Sequence, residues 1–299
     1  MAVFDRRYRP WDGARTSAFH RLLVLPRYAY RDLFASRLFT GLYFGSFLPP
    51  LGCAVAIWAV NNAPLLAKLG IETGDLLKIN ASFFLWLLGV QFVCAAAQTL
   101  VIAPALVSPD LVNGALPLYL SRPVSRAQYV AGKFAVLAVL LSTITWVPGL
   151  LLFGLQSSVA SGPWAASHLR IAPGLVIGSL LGITVLSVLG LAVSAFVRRR
   201  AIARGVFIGF LVITAAIGEN LNHALDTCYG SMLSVFVSMK VICSWLLGWN
   251  PTRNDSFGDS FSDRGGHLPV SAAVLSLAFL IVCALLLLRR RLRAVEVVS

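Results

Sequence analysis

Glu219, His223 and Asp226 stand four and three residues apart, a spacing that puts one imidazole between two carboxylates on a single helix face. Imidazole and carboxylate are reasonable ligands for zinc or a related ion, and the same three groups could act as acid, base or ligand in a membrane-embedded enzyme working on lipid. A fourth ligand at helical spacing is missing, however, and Asn220 and Asn222 beside them favour a solvated helix end. Gly132-Lys133 is the one Gly-Lys pair in the chain, but Ala127 stands where a phosphate-cradling loop needs its first glycine and Phe134 where it needs Ser or Thr. The sequence contains no Gly-x-Ser-x-Gly, His-Glu-x-x-His or Cys-x-x-Cys. Cys53, Cys94, Cys228, Cys243 and Cys283 are odd in number, widely spaced and mostly within apolar runs, as packing residues would be.

The elements that must position these groups are membrane helices. Of 299 residues, 58% are hydrophobic and only 12% charged, and the mean hydropathy is +0.81, which excludes a soluble domain. Six apolar stretches approach the ~20 residues a helix needs to cross about 30 Å of hydrocarbon. They run from Leu38 to Val60, Ser82 to Val107, Val130 to Leu155, Ile171 to Val197, about Ala201 to Gly218, and Pro269 to Leu288. The expected fold is therefore all-α and polytopic: a basic tail and interfacial helix over residues 1–37, then one six-span domain over residues 38–299.

The net charge of +13 is arranged as a topology signal rather than a nucleic-acid surface. Arg6, Arg7, Arg9, Arg15, Arg21, Arg27, Arg31 and Arg37 precede the first stretch. Arg122, Arg126 and Lys133 fall between the second stretch and the start of the third; Arg198, Arg199, Arg200 and Arg204 follow the fourth; Arg289, Arg290, Arg291 and Arg293 follow the sixth. The other side keeps Lys68, Lys78, Arg170, Lys240, Arg253 and Arg264. By the positive-inside rule both termini are expected to be cytoplasmic, consistent with an even number of spans, and no nucleic-acid partner is expected.

Arg6 and Arg7 stand in tandem, but the first long apolar stretch begins only at Leu38, which argues against a cleavable or twin-arginine signal. Leu22, Leu25, Ala29 and Leu33 recur at helical spacing opposite His20, Arg27 and Arg31, so a basic amphipathic helix, kinked or broken at Pro26, is expected on the inner membrane face. Ser231 to Trp249 is nearly as apolar as a span, with Lys240 near its middle. A seventh span would turn the Arg289 to Arg293 cluster outward, so the outer segment 219–268 is expected to hold an interfacial or re-entrant piece with Trp245 and Trp249 at headgroup level. Gly41 with Gly45, Gly174 with Gly178 and Gly182, and Gly205 with Gly209 repeat every fourth residue, which lets backbones approach closely, either within one subunit or across a dimer or moving interface. Pro49, Pro50 and Pro148 mark bends.

The loop between the second and third stretches, residues 108–129, carries the most local information. Ser108, Pro109 and Asp110 suit the cap and first turn of a new helix that Pro117 would end after about two turns. Ser125 and Gln128 form a capping-box pair that would restart the helix of the third span.

Asp110, Gly114, Pro117 and the run Tyr119-Leu120-Ser121-Arg122-Pro123, followed by Ser125, Arg126, Tyr129, Gly132 and Lys133, resemble the cytoplasmic loop of bacterial ABC transporter permeases of the export (ABC-2) type. The resemblance implies a non-catalytic subunit whose loop touches a separate ATPase subunit, with ATP-Mg bound by that partner and no cofactor in this chain. It implies pairing with a second permease copy or a related permease in the bacterial cytoplasmic (inner) membrane. The interior polar residues, Gln91 and Gln98 above all, suit an amphiphilic or apolar cargo better than an ion, and mid-membrane acids of the kind ion-coupled transport uses are missing.

Overall fold

Apolar runs of this length have one way to close their backbone hydrogen bonds without water, and the chain takes it. The structure, a computed structural model, describes residues 27–62, 78–112, 126–160, 164–197, 199–249 and 268–291, and among them there is no strand. The main helices are α1 (Arg37–Gly45), α2 (Leu48–Asn61), α3 (Ala81–Val112), α4 (Arg126–Ile144), α5 (Trp146–Val159), α6 (Ile171–Phe196), α7 (Arg200–Leu225), α8 (Val235–Leu247) and α9 (Val270–Arg291). Among the described residues six helical stretches are long and apolar enough to cross a membrane: Arg37–Asn61, Ala81–Asp110, Ala127–Val159, Ile171–Phe196, Arg200–Leu225 and Val270–Arg291. We call these spans one to six. The fifth runs past the apolar part ending at Gly218, because Leu221 and Leu225 extend its helical face. Successive spans alternate in direction, so Asp110, Arg200 and Arg291 share one end of the bundle, called the basic end below. Before span one, residues 27–34 form a helix that buries Leu33 and exposes Arg27 and Arg31; Leu22, Leu25 and Pro26 lie outside the described residues.

Spans one and three are both broken near mid-depth, and the prolines explain where. The break at Ser46 and Phe47 puts Pro49 and Pro50 in the first turn of α2, where a missing N–H leaves no intrahelical bond unmade. The break at Thr145 does the same for Pro148 in α5. Pro50 cannot donate to the Ser46 carbonyl four residues back, and the Gln91 amide of span two donates to it instead at 3.3 Å. Gln98 donates to the Ser46 hydroxyl at 3.3 Å, and that hydroxyl donates to Leu42 O. Asn61 on α2 donates to Gln156 on α5 at 3.0 Å, and Tyr43 bonds Thr143, so the two broken spans run side by side.

Span four is the centre of the bundle: 67% of its most apolar window is buried, against 22% for spans one and five and 17% for span six. The outer spans consequently leave Leu51, Val55, Val212, Ile213, Leu275 and Phe279 bare. Lipid is the natural solvent for such faces.

The segment Ser231 to Trp249 is not a surface element. After α7 the chain turns at Asp226 (φ 49°), descends through a short 3₁₀ turn (Tyr229–Leu233) against α7, and rises again as α8. With 13 residues, about 20 Å, α8 is too short to cross the bilayer and packs among spans two, four and six, burying Met239 and Cys243 completely. It is re-entrant. Its bed is the glycine row of span four. A Cβ on Gly174 would stand 3.0 Å from Leu246 O, one on Gly178 2.9 Å from Cys243 Sγ, and one on Gly182 2.7 Å from Met239 Cε. Gly174 faces α8 of the same chain, while Gly178 and Gly182 face α8 and also Leu88 and Phe92 of span two. Gly41, Gly45 and Gly205 look into open space, and Gly209 meets only Ile213 of its own helix.

Candidate functional site

The feet of the 108–129 loop meet in a small ionic cluster at the basic end. On α3, Leu106 and Asp110 are four apart and share a face; on α4, Tyr129 and Lys133 do the same. Facing each other, these pairs bring Lys133 Nζ to 2.9 Å from Asp110 Oδ2 and 2.8 Å from Leu106 O, while the Tyr129 hydroxyl donates to Asp110 Oδ2 at 2.7 Å. Lys133 Nζ also lies 5.4 Å from the Tyr129 ring centre, within cation–π range. Only 11% of the Lys133 side chain and 14% of the Asp110 side chain are exposed, and Tyr129 is buried. A pair this dry is hard to break from one side, because the remaining charge would be stranded. Apolar neighbours of the cluster include Val107, Leu191 and Leu288 from three different spans.

The structure corrects one expectation about this loop. Ser108 and Pro109 do not start a new helix: α3 continues through Pro104 and Pro109 to Val112. Packing decides the matter, since Val101, Ile102, Leu106 and Val107 bury one face of α3 against spans three and four and hold the helix across two missing N–H donors. The Ser108 hydroxyl therefore caps nothing and donates to Val197 O, at the end of span four, at 3.3 Å. Gly114, Pro117, Tyr119, Leu120, Ser121, Arg122, Pro123 and Ser125 lie outside the described residues. Arg126 opens α4.

Glu219 and His223 are exposed on the last turns of α7, but the helix ends at Leu225 and Asp226, also exposed, takes a left-handed conformation that turns it off the expected common face. Among the described residues no group of three or more His, Cys, Asp or Glu could hold a metal ion. Asn222 is drawn inward rather than solvated, donating to the Ser231 hydroxyl at 2.8 Å and so fastening the re-entrant turn to α7.

Two features escaped the sequence reading. Arg170, which precedes α6, donates to Trp245 O at 2.7 Å and Leu246 O at 3.2 Å and lies 5.6 Å over the Trp245 ring. It thereby caps the carbonyl end of α8, where a cation complements the helix dipole. The sequence signal was Gly248, which ends α8 at φ +73° and marks a helix terminus in want of a cap. The second feature is that the Oε1 atoms of Gln91 and Gln98 are buried without a hydrogen-bond partner among the described residues.

These elements define a multi-pass helical membrane protein whose polar chemistry gathers at the loop feet and at helix breaks. The chain matches the family model described as ABC-2 family transporter protein over residues 67–289, and it belongs to that family. The family consists of membrane components that typically work with an ABC ATPase. No curated protein matches the chain.

Proposed function

We propose that this chain is the permease subunit of an ATP-driven exporter in the bacterial inner membrane. A separate ATPase subunit would bind ATP-Mg and touch the loop 108–129, and a second copy or a related permease would complete the transmembrane unit. Both termini would be cytoplasmic, because Arg199, Arg200, Arg204 and Arg289 to Arg291 gather at the end where the loop leaves the bundle. The cargo would be amphiphilic or apolar: inside the spans the described polar groups are mainly Gln, Ser and Thr.

The observation that carries the proposal is the Asp110, Tyr129 and Lys133 cluster in a member of the ABC-2 family, since it ties spans two and three together at the root of the loop. ATP binding would act by differential affinity for two arrangements of the helices; turning a 1:99 equilibrium into 99:1 takes about 5.5 kcal/mol. The test is gentle extraction of the tagged protein from its native membrane. An ATPase subunit should co-purify in near-equal amount, and Arg122→Glu should lose it. A permease that comes out alone would sink the proposal.

A further inference from the structure

We infer that Asp110, Lys133 and Tyr129 are the positioning residues that pass a displacement of the loop on to spans two and three; this rests on the permease reading above. α3 ends at Val112 and α4 begins at Arg126, so the ends of these two helices are joined along the chain through residues 113–125 and across the cluster through side chains. The cluster closes that circuit just inside the bundle. Lys133 alone binds both the Asp110 carboxylate and the Leu106 carbonyl, a full turn earlier on α3, so it resists twisting as well as separation of the two helices. Tyr129 supplies the second donor to the same carboxylate oxygen. A push on the loop therefore moves the ends of α3 and α4 together.

The connection does not stop there. Ser108 ties α3 to the end of span four at Val197, and Arg291 of span six lies 5.9 Å over the ring of Phe196. Four spans are thus linked at the basic end by polar and cation–π contacts, with the ionic cluster the part nearest the loop. A chain of contacts with two arrangements is what coupling requires physically.

The test needs no knowledge of the cargo. The permease–ATPase complex is placed in nanodiscs of phosphatidylethanolamine and phosphatidylglycerol, and hydrogen exchange is measured with and without ATP and vanadate. In the native complex nucleotide should change exchange in the loop and also at the far ends of spans two and three, residues 78–90 and 146–159. Lys133→Gln should keep the ATPase bound and retain the change in the loop, but reduce the far-end change at least threefold; Tyr129→Phe should reduce it by a smaller factor. The exchanged pair Asp110→Lys with Lys133→Asp should restore it. An undiminished far-end change in both single variants would overturn the inference. So would faster exchange throughout the spans of Lys133→Gln without nucleotide, which would mean that the cluster only holds the fold. If the native protein retains no ATPase at all, the permease reading fails first, and this inference falls with it.

Discussion

Gly218→Ala should be clearly damaging, because the added methyl meets main chain. Gly218 on α7 and Gly230 in the re-entrant turn press their backbones together, so a Cβ on either would sit well inside 3.0 Å of the other's carbonyl oxygen. A flexible side chain could swing aside, but here the obstacle is main chain on both sides. The turn would have to move away by roughly half an ångström, against close-packed neighbours. That movement stretches the 2.8 Å Asn222–Ser231 bond. Overpacking of about 1–3 kcal/mol plus about 1 kcal/mol for the weakened bond gives about 2–4 kcal/mol. For a chain of this size that is roughly 4–8 °C in apparent Tm. The chain's own thiols report unfolding: Cys53 and Cys243 are buried, so a maleimide dye that fluoresces on reaction should light up as the bundle opens in detergent. Gly205→Ala, with open space around it, is the control and should unfold within about 1 °C of the native chain, since Ala is favoured over Gly in a helix. If Gly218→Ala melts together with Gly205→Ala, the turn does not lie against α7 at Gly218 and the re-entrant placement of α8 is wrong.

Gln98→Leu should stabilise the chain by about 1 kcal/mol, because it removes a buried unpartnered oxygen while the Ser46 hydroxyl keeps its bond to Leu42 O; a lower melting temperature would mean that Gln98 has a partner. Gln91→Leu also removes an unpartnered oxygen but takes the donor from the Ser46 carbonyl, so it should be about 1–2 kcal/mol less stable than Gln98→Leu in the same melting assay. Arg170→Met should raise hydrogen exchange at Trp245 to Trp249 and cost about 1 kcal/mol, with Arg170→Lys recovering only part, because an ammonium cannot reach two carbonyls and stack on Trp245 together. Thr227→Cys, combined with Cys228→Ser, should react with a membrane-impermeant maleimide from outside intact cells; reaction only after permeabilisation would reverse the proposed topology.

Much of this architecture was legible in the sequence because it follows from hydrophobic run length. The six apolar stretches mark helices, and the mid-run charge of Lys240 together with the tail arginines argued against a seventh span. What run length cannot supply is depth and partner. The Ser231 to Trp249 segment has the composition of either a surface or a buried helix, and only the glycine row of span four, read as a bed for Met239 and Cys243, separates the two. The ionic cluster was half legible: Asp110, Tyr129 and Lys133 stood in the quoted motif, but their meeting depends on α3 and α4 lying antiparallel with matching i, i+4 faces. Glu219, His223 and Asp226 show the opposite case: their spacing suits one face, but the helix ends at Leu225 before Asp226, and all three are exposed.

The prolines show most plainly where local reading ends. Each Pro removes one N–H and would leave the carbonyl four residues earlier without its helical donor, yet Pro49, Pro50 and Pro148 coincide with breaks while Pro104 and Pro109 sit inside one unbroken helix. The difference lies in what surrounds each site. Around Ser46 a neighbouring span offers an amide, Gln91, so the helix can end there and restart with its prolines in the first turn. Along Val101 to Val107 the neighbours are apolar on the buried face, and a break there would expose further carbonyls and amides that those side chains could not satisfy. Continuing the helix leaves the smaller number of unmade bonds. The same accounting breaks span one beside the Gln91 amide and keeps span two one continuous helix up to the residues that form the ionic cluster.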